Sequence, residues 1–229
     1  MEARKEKVIL FQGDSITDGG RDKMDDWNLN HQMGHSYAYI INAKLAIQCP
    51  DKYLRFINRG ISGNRIADLY GRWKEDAINL HPDVLSILIG VNDCIATVRN
   101  HSGSNPERFE RIYQLLLDEV HEMNPDVVFV LCEPFMLLSN SSDEERKSWN
   151  ALLPPLQKKT CEIAKRNHAV FVPLQDRFKE LCQYREAEYW VWDGVHPTVA
   201  GQQVIADQWL KYVKAGIKNG NFDNDDNAL

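Results

Sequence analysis

Four short blocks of this sequence hold the functional groups that acyl transfer requires. They are G-D-S at residues 13–15, S-G-N at 62–64, G-V-N-D at 90–93 and W-D-G-V-H-P at 192–197. A serine hydroxyl becomes a nucleophile when a histidine takes its proton and a carboxylate orients that histidine. Ser15, His196 and Asp193 supply these three groups, so the sequence predicts a catalytic triad in which Ser15 attacks an acyl carbonyl.

The same blocks contain hydrogen-bond donors for the negative charge that develops on the carbonyl oxygen during such an attack. The expected donors are the backbone N–H groups of Ser15 and Gly63 and the side-chain amide of Asn92. One donor of this kind typically contributes on the order of 10²–10³ in turnover. The neighbouring Asp93 is expected to be structural, and the segment around Ser62 lacks the second glycine of a G-x-S-x-G nucleophile motif.

Each residue of the predicted triad also has an ordinary structural interpretation. Asp14 or Ser15 could cap a helix, which is the commoner role of these residue types, and Asp14 is expected to anchor its loop by accepting backbone N–H bonds. His196 could be a structural histidine, and Asp193 could be a helix cap. An aspartate three residues before the histidine and a proline directly after it favour a catalytic loop, with Pro197 beginning the last helix.

Short apolar runs and helical spacing indicate the elements that must position these blocks. Apolar runs predict strands at residues 8–11, 53–58, 84–89, 127–132 and 169–172. Apolar residues at helical spacing predict helices over residues 35–47, 66–80, 107–123, 142–166, 178–184 and 198–217. Pro154-Pro155 is expected to bend or divide the fourth helix. Residues 22–34 and 99–106 are polar and are expected to lie in surface loops.

The alternation of strands and helices indicates the fold class. Strands separated by helices form right-handed β-α-β crossovers and a mostly parallel sheet that is covered on both faces. The predicted fold is therefore α/β, a three-layer α/β/α sandwich with a five-stranded parallel sheet that is similar to flavodoxin in outline. Three of the four blocks follow the ends of the first three strands, and ligands of open parallel sheets bind at that edge. We therefore expect the blocks to meet there.

The composition is that of an ordinary soluble globular protein. The 229 residues carry a formal net charge of −6, which argues against nucleic-acid binding. The length suits a single domain over residues 1–217, and the acidic, Asn-rich residues 218–229 are expected to be disordered. The apolar runs are too short for a signal-peptide core or a membrane span, so we expect no membrane association and a cytoplasmic location.

The spacing of the cysteines and the absence of metal-binding and nucleotide-binding motifs indicate whether a cofactor is expected. Five cysteines are scattered without a C-x-x-C pair, which indicates reduced thiols and no disulfide framework. The sequence has no H-E-x-x-H motif, no P-loop and no G-x-G-x-x-G after a strand. We therefore expect no metal and no other cofactor.

In this order, the four blocks resemble those of the SGNH hydrolases, also called the G-D-S-L esterase/lipase family. The Ser, Gly, Asn and His of the family name fall on Ser15, Gly63, Asn92 and His196. The acid of the family's D-x-x-H pair falls on Asp193, and Ile16 replaces the leucine of the family name. The resemblance spans residues 13–197 and implies the SGNH hydrolase fold and its serine esterase chemistry.

A closer resemblance links the sequence to a bacterial branch that includes intracellular acetyl-xylooligosaccharide esterases. It rests on G-D-S-I-T-D at residues 13–18, N-R-G-I-S-G-N at 58–64, R-W at 72–73 and I-G-V-N-D at 89–93. It implies a cofactor-free enzyme that removes acetyl groups from sugar hydroxyls and forms homo-oligomers. The main alternative is a lipase, thioesterase or arylesterase of the same family; a phosphoesterase and a non-catalytic binding module are the others.

Candidate substrate-binding residues lie beside the blocks. Trp192 adjoins the predicted acid and Tyr189 is close to it, so their aromatic faces could stack on a sugar ring. Arg21, together with Trp27 and His31, is assigned to substrate contact from its position after the first block alone.

Overall fold

The computed structural model describes residues 6–24, 29–138 and 142–218. Within them, one parallel sheet contains β1 (Lys7–Gly13), β2 (Leu54–Asn58), β3 (Val84–Leu88), β4 (Val128–Cys132) and β5 (Val170–Val172). The order across the sheet is β2-β1-β3-β4-β5, which is that of flavodoxin-like sheets. The predicted α/β class and the five-stranded parallel sheet are thus confirmed.

Helices cover both faces of this sheet. The described helices are α1 (Ser15–Asp18), α2 (Leu29–Gln32), α3 (Tyr37–Gln48), α4 (Ile66–Tyr70), α5 (Trp73–Asp76), α6 (Val91–Asn100), α7 (Pro106–Met123), α8 (Asp143–Arg166), α9 (Gln175–Leu181), α10 (Ala187–Trp190) and α11 (Val199–Lys218). Helices α3 and α11 pack against each other on one side. On the other side α7 packs against α4 and α8, and α8 contacts β4 and β5. These layers form the predicted sandwich.

The order of the strands opens a crevice at the carboxyl end of the sheet. Strand β3 is buried throughout, because a parallel sheet covered by helices has no solvent-facing side. Strand β1 lies between β2 and β3, so the chain leaves β1 toward one edge of the sheet and later returns to its other side. The crevice lies where the direction reverses, and Gly13 at the end of β1 pairs there with Leu88 of β3.

The single helix predicted over residues 66–80 is wrong, because this region forms three shorter elements. Helix α4 ends before Gly71, α5 begins after Arg72, and a 3₁₀ turn follows at Ile78–Leu80. Arg72 has a non-helical backbone, with φ −124° and ψ 9°. Its guanidinium donates to Gly13 at the end of β1 and to Asn64 in the loop after β2, and apolar periodicity does not report such long-range contacts.

Helix α6 begins in the G-V-N-D block after β3 and extends into residues 99–106, which the sequence predicts as a surface loop. Its residues include Asn, Asp, Thr and Val, which are weak helix formers. Tertiary contacts hold it instead, because the buried Asp93 carboxylate accepts hydrogen bonds from the backbone N–H groups of Ile66 at 2.9 Å and Ser104 at 3.3 Å. Asp93 therefore has the structural role that the sequence predicts for it.

The C-terminal part of the chain closes the sandwich. Helix α8 contains Pro154 and Pro155 without being divided, contrary to one of the two predicted outcomes. Trp209 of α11 is buried, and its Nε1 donates to the Ser86 hydroxyl of β3 at 3.0 Å. Residues 219–229 of the predicted tail lie outside the described residues. Across the described ranges, every helix is too short or too polar to cross a bilayer.

Candidate active site

Ser15 lies at the first position of helix α1, directly after strand β1. Asp14 caps this helix, because its Oδ1 accepts a hydrogen bond from the Ile16 N–H at 3.0 Å. Gly13 must be small, since a Cβ there would collide with the Thr17 hydroxyl and with the backbone of β3. The close approach of β1 and β3 therefore sets the position from which the Ser15 side chain projects.

Ser15, His196 and Asp193 form one hydrogen-bonded chain. The Ser15 Oγ–His196 Nε2 distance is 2.8 Å, and the His196 Nδ1–Asp193 Oδ2 distance is 2.6 Å. A carboxylate that faces Nδ1 favours a proton on that nitrogen, which leaves Nε2 to accept the proton of the Ser15 hydroxyl. The fold thus brings the hydroxyl of Ser15 together with the imidazole and carboxylate of a loop 181 positions further along the chain, which is the arrangement that the sequence predicts.

The loop that carries His196 is built around Asp193. The Oδ1 atom of Asp193 accepts hydrogen bonds from the backbone N–H groups of Val195 at 3.0 Å and His196 at 2.7 Å. Partial burial alone would raise the pKa of the Asp193 carboxyl, but these donors and the imidazole outweigh it and hold the pKa below its usual value. Asp193 is therefore a carboxylate at neutral pH, as an orienting acid must be.

Within the described residues, three hydrogen-bond donors with an unused N–H follow β1, β2 and β3. The backbone N–H groups of Ser15 and Gly63 make no hydrogen bond within the part of the chain that the structure describes. Asn92 uses one of its two amide protons there, in a bond to the Asn64 carbonyl oxygen at 3.1 Å. Such uncommitted N–H groups can bind a developing oxyanion. They are the three donors that the sequence predicts.

A tight turn after β2 presents Gly63. The Asn64 N–H donates to the Ile61 carbonyl oxygen at 3.1 Å and closes a four-residue turn. Gly63, the third residue, has φ +82°, which type II turns require at this position and glycine adopts without strain. A Cβ at Gly63 would meet no atom within 4 Å, so backbone conformation and not space selects glycine here.

Comparison with known proteins identifies the family to which this site belongs. Residues 11–204 match the GDSL-like lipase/acylhydrolase family. The chain belongs to this family. It is also 32% identical over 208 residues to an acetylxylan esterase of Geobacillus stearothermophilus, an alignment that covers 90% of this chain and 93% of the relative.

Solved structures of similar proteins share the fold of this GDSL-family chain over nearly its whole length. A protein of Parabacteroides merdae described as a GDSL-like lipase has a TM-score of 0.84 at 36% identity, covering 92% of this chain and 97% of its own. Axe2, an acetylxylan esterase of Geobacillus stearothermophilus, has a TM-score of 0.80 at 29% identity, covering 93% and 96%. These similarities confirm the predicted family and the predicted resemblance to acetyl-xylooligosaccharide esterases.

Arg21 does not have the substrate-facing position predicted for it in this GDSL-family chain. It is only 8% exposed, and its Nε donates to the Gly60 carbonyl oxygen at 2.9 Å. Its backbone N–H donates to the Asp18 side chain at 3.1 Å. Arg21 therefore ties the loop after β1 to the loop after β2. Trp27, proposed from the same reasoning, lies outside the described residues.

Two aromatic residues flank the His196 loop. The indole of Trp192 stacks on the His196 imidazole with ring centroids 5.8 Å apart, and the Trp192 side chain is 61% exposed. The ring of Tyr189 is also exposed, but it packs edge-on against Trp190 and lies 4.4 Å from the Arg185 guanidinium carbon. Of these two aromatic residues, Trp192 is thus the one whose ring contacts His196.

A shallow polar groove borders Gly63 and Asn92. Its volume is about 360 Å³, and the rest of its polar lining consists of Arg65, Asp68, Arg99, Asn100 and Ser102. Arg65 is fixed there by hydrogen bonds to two other residues of this lining. The apolar side chains in the described lining are Ile95 and Ala96. A groove of this size and polarity suits a small polar group better than a long acyl chain.

The Asp14 carboxyl is buried next to Ser15. Its Oδ2 has no hydrogen-bond partner in the described ranges, whereas its Oδ1 caps helix α1. Burial raises the pKa of Asp14 to about 7, although the Ile16 N–H and the nearby His196 act to lower it. The native carboxyl therefore titrates near neutral pH, whereas in the unfolded chain it titrates near its ordinary pKa of 3.8.

We expect the substitution Asp14→Asn to change the pH dependence of stability. Because the native pKa is raised, the stability contributed by protonated Asp14 is complete below about pH 4 and is lost progressively as the pH rises through about 7. The neutral amide mimics the protonated carboxyl and removes this loss. The variant should gain about 1–4 kcal/mol relative to the wild type between pH 4 and pH 8.

Urea unfolding at pH 4 and pH 8 measures this effect. Asp176→Asn is the matched control, because the Asp176 side chain is 94% exposed. The same pH dependence in Asp14→Asn and in the wild type would contradict the assignment of a protonated, buried Asp14.

Proposed function

We propose that this protein is a serine esterase that removes acetyl groups from carbohydrate esters. The observation that carries the proposal is the hydrogen-bonded chain from Ser15 through His196 to Asp193, with distances of 2.8 and 2.6 Å. Three uncommitted donors at the neighbouring strand ends support it. The 32% identity to an acetylxylan esterase supports an acetyl ester as the substrate.

In the first half of the proposed reaction, the alcohol leaves. The Ser15 oxygen attacks the ester carbonyl carbon while His196 Nε2 takes the hydroxyl proton, and the Asp193 carboxylate stabilises the imidazolium. The carbonyl oxygen becomes negative and is bound by the Ser15, Gly63 and Asn92 donors. The bond to the alcohol oxygen then breaks, that oxygen takes the proton from His196, and the acetyl group stays on Ser15.

In the second half, water releases the acetyl group. His196 takes a proton from a water molecule, whose oxygen attacks the carbonyl carbon of the acetyl-Ser15 ester. The same donors bind the second oxyanion. When the bond to Ser15 breaks, the proton returns from His196 to Ser15 Oγ and acetic acid leaves, which ionises to acetate in neutral water.

The surroundings of the triad support a sugar as the alcohol. Trp192 presents an exposed aromatic face beside His196, and aromatic faces suit sugar rings. The groove next to Gly63 and Asn92 is lined mainly by charged and amide side chains that can bond to hydroxyl groups. Both features favour a short acyl group on a polar alcohol over a lipid ester.

Acetate release from acetylated xylooligosaccharides tests this proposal. The assay compares these substrates with p-nitrophenyl acetate and p-nitrophenyl octanoate, and uses Ser15→Ala as the inactive control. We expect acetate release from the sugar, turnover of the short aryl ester and little turnover of the octanoate. Cleavage of the aryl esters alone would keep the serine esterase and reject the sugar. Cleavage that persists in Ser15→Ala would reject the proposed mechanism.

The substitution Asn92→Ala should slow the chemical step. It removes one of the three oxyanion donors, so we expect kcat to fall by about 10²–10³ while KM changes little. Steady-state kinetics on p-nitrophenyl acetate measures this. Asn150→Ala, at an exposed position on α8 outside this groove, is the control for loss of an amide. A kcat for Asn92→Ala within about threefold of wild type would exclude this amide from the oxyanion site.

Other acyl esters are the second candidate for this site. A lipase, thioesterase or arylesterase would use the same chain of residues, and the octanoate arm of the assay distinguishes the first of these. The cytoplasmic location and the homo-oligomer stay predictions of the sequence. Light scattering of the purified protein tests the second of them.

A further inference from the structure

Arg72 lies where the loops that carry the oxyanion donors come together, in the break between α4 and α5. Its side chain is 14% exposed. Its Nε donates to the Asn64 side-chain oxygen at 2.8 Å. Its Nη1 donates to the Arg59 carbonyl oxygen at 2.9 Å, and its Nη2 to the Gly13 carbonyl oxygen at 3.4 Å. The remaining bond, from Nη1 to Asp76 at 2.8 Å, anchors the guanidinium to α5.

Through Gly13, Arg72 contacts the backbone that holds the nucleophile. The Gly13 carbonyl oxygen also accepts the Ile61 N–H at 3.1 Å, so the loops after β1 and β2 are joined at this atom. Ser15, whose N–H is the first oxyanion donor, lies two residues further along. Arg72 thus stabilises the position of that donor relative to the turn at Gly63.

Through Asn64, Arg72 is connected to the other two donors. The Asn64 N–H closes the turn that presents Gly63, and its carbonyl oxygen accepts one Asn92 amide proton at 3.1 Å. The hydrogen bond from Asn92 to Asn64 fixes the rotation of the Asn92 side chain and leaves the other amide proton of Asn92 for the substrate. One guanidinium and one asparagine therefore connect all three donors.

We propose that Arg72 and Asn64 act together as positioning residues that align the three oxyanion donors. This rests on the serine esterase function proposed above. A guanidinium has five N–H donors in a rigid fork, so it can hold several loop oxygens at fixed angles, which a lysine ammonium does not. Oxyanion donors lower the barrier only when their spacing matches the transition state. Loss of the alignment should therefore reduce kcat more than it changes KM.

The test uses Arg72→Gln, Arg72→Lys, Asn64→Ala and the double variant Arg72→Gln/Asn64→Ala. The first measurement is kcat and KM on p-nitrophenyl acetate, well below the thermal transition that circular dichroism gives for each variant. The second is calorimetric binding of methylboronic acid, whose tetrahedral adduct on Ser15 has an oxygen in the oxyanion position. Arg177→Gln is the control, because Arg177 forms an exposed pair with Glu180.

We expect Arg72→Gln and Asn64→Ala each to lower kcat by about 10- to 100-fold, with KM changed by less than about threefold. Boronate affinity should fall by a similar factor. The kcat of the double variant should lie within about threefold of the lower kcat of the two single variants, because both changes disrupt the same hydrogen-bonded pair. Arg72→Lys should recover part of the loss, and Arg177→Gln should behave as the wild type. If Arg72→Gln does not fold, Asn64→Ala, which changes only a turn residue, decides the test.

Folded variants with wild-type kcat and wild-type boronate affinity would overturn the proposal and leave Arg72 a stabilising residue only. Effects that multiply in the double variant would also overturn it, since the two residues would then act separately. A wild type that neither hydrolyses the ester nor binds the boronate would instead reject the esterase function, which is a different result.

Discussion

Replacing Ser15 by alanine should lower kcat by roughly 10⁴–10⁶ and leave the fold intact, as expected for the nucleophile of a triad. Ser15 Oγ bonds to His196 Nε2, and in the variant the base would have no hydroxyl to deprotonate. The substitution removes one side-chain oxygen and no backbone contact, so helix α1 should keep its Asp14 cap. Kinetics on p-nitrophenyl acetate and far-ultraviolet circular dichroism together measure the two parts of this prediction.

Ser62→Ala is the matched control for that experiment. Ser62 is an exposed serine in the turn next to Gly63, and its backbone N–H, not its hydroxyl, bonds to Asp18 at 2.9 Å. We expect it to retain activity within about threefold of wild type, as surface substitutions usually do. Near-complete loss in Ser62→Ala with activity kept in Ser15→Ala would reverse the assignment of the nucleophile.

Replacing Asp193 by asparagine should lower kcat by about 10⁴, the effect expected when the histidine takes the wrong tautomer. The Oδ1 atom of Asp193 accepts two backbone N–H groups, from Val195 and His196, and only an oxygen can do so. The amide nitrogen of the variant must therefore face His196 Nδ1, where the wild type has Oδ2. It would donate to Nδ1 and move the imidazole proton to Nε2, which could then no longer accept the Ser15 proton.

The pH profile separates this effect from a loss of structure. Asp193 is a carboxylate throughout the neutral range, because its N–H and imidazole partners keep its pKa low. The loss in Asp193→Asn should therefore persist from pH 6 to pH 9. Asp176→Asn, an exposed carboxylate on α9, should have wild-type kinetics. Wild-type turnover by folded Asp193→Asn would show that the orientation of His196 does not depend on this acid.

The sheet could be predicted from the sequence because most of its strands are short, largely buried and mainly apolar, β2 being the more exposed exception. β3 and β4 are runs of five residues with this character, and the blocks that follow β1, β2 and β3 are polar. In a parallel sheet those blocks must meet at one edge, so the approximate location of the site follows from chain order alone. The strand order reverses between β1 and β3, and this reversal determines where along the edge the site lies.

The helices around the site were less predictable, because tertiary contacts decide them. Helix α6 has weak intrinsic propensity and depends on Asp93, which bonds to Ile66 and Ser104 elsewhere in the chain. The break at Arg72 depends on hydrogen bonds to the Gly13 carbonyl oxygen and to Asn64. Both are long-range interactions of polar groups, which leave no period in the sequence.

Side-chain direction was the other unpredictable feature. Arg21 follows the nucleophile block closely and is charged, which suggests substrate contact, yet its guanidinium turns inward to the Gly60 carbonyl oxygen. Arg72 and Asn64 were part of a recognised sequence pattern, but their bonds to each other and to the donor loops appear only in the structure. In both cases the sequence gives the residue type but not its hydrogen-bond partner.

The measurement that tests the account most directly is the site of covalent modification by phenylmethylsulfonyl fluoride. The wild type is incubated with the reagent until esterase activity is lost, then digested and mapped by mass spectrometry. We expect one sulfonyl group per chain on Ser15, acquired in proportion to the loss of activity and absent from Asp193→Asn over the same time. Loss of activity with the label on any other residue would contradict the claim that Ser15 is the nucleophile.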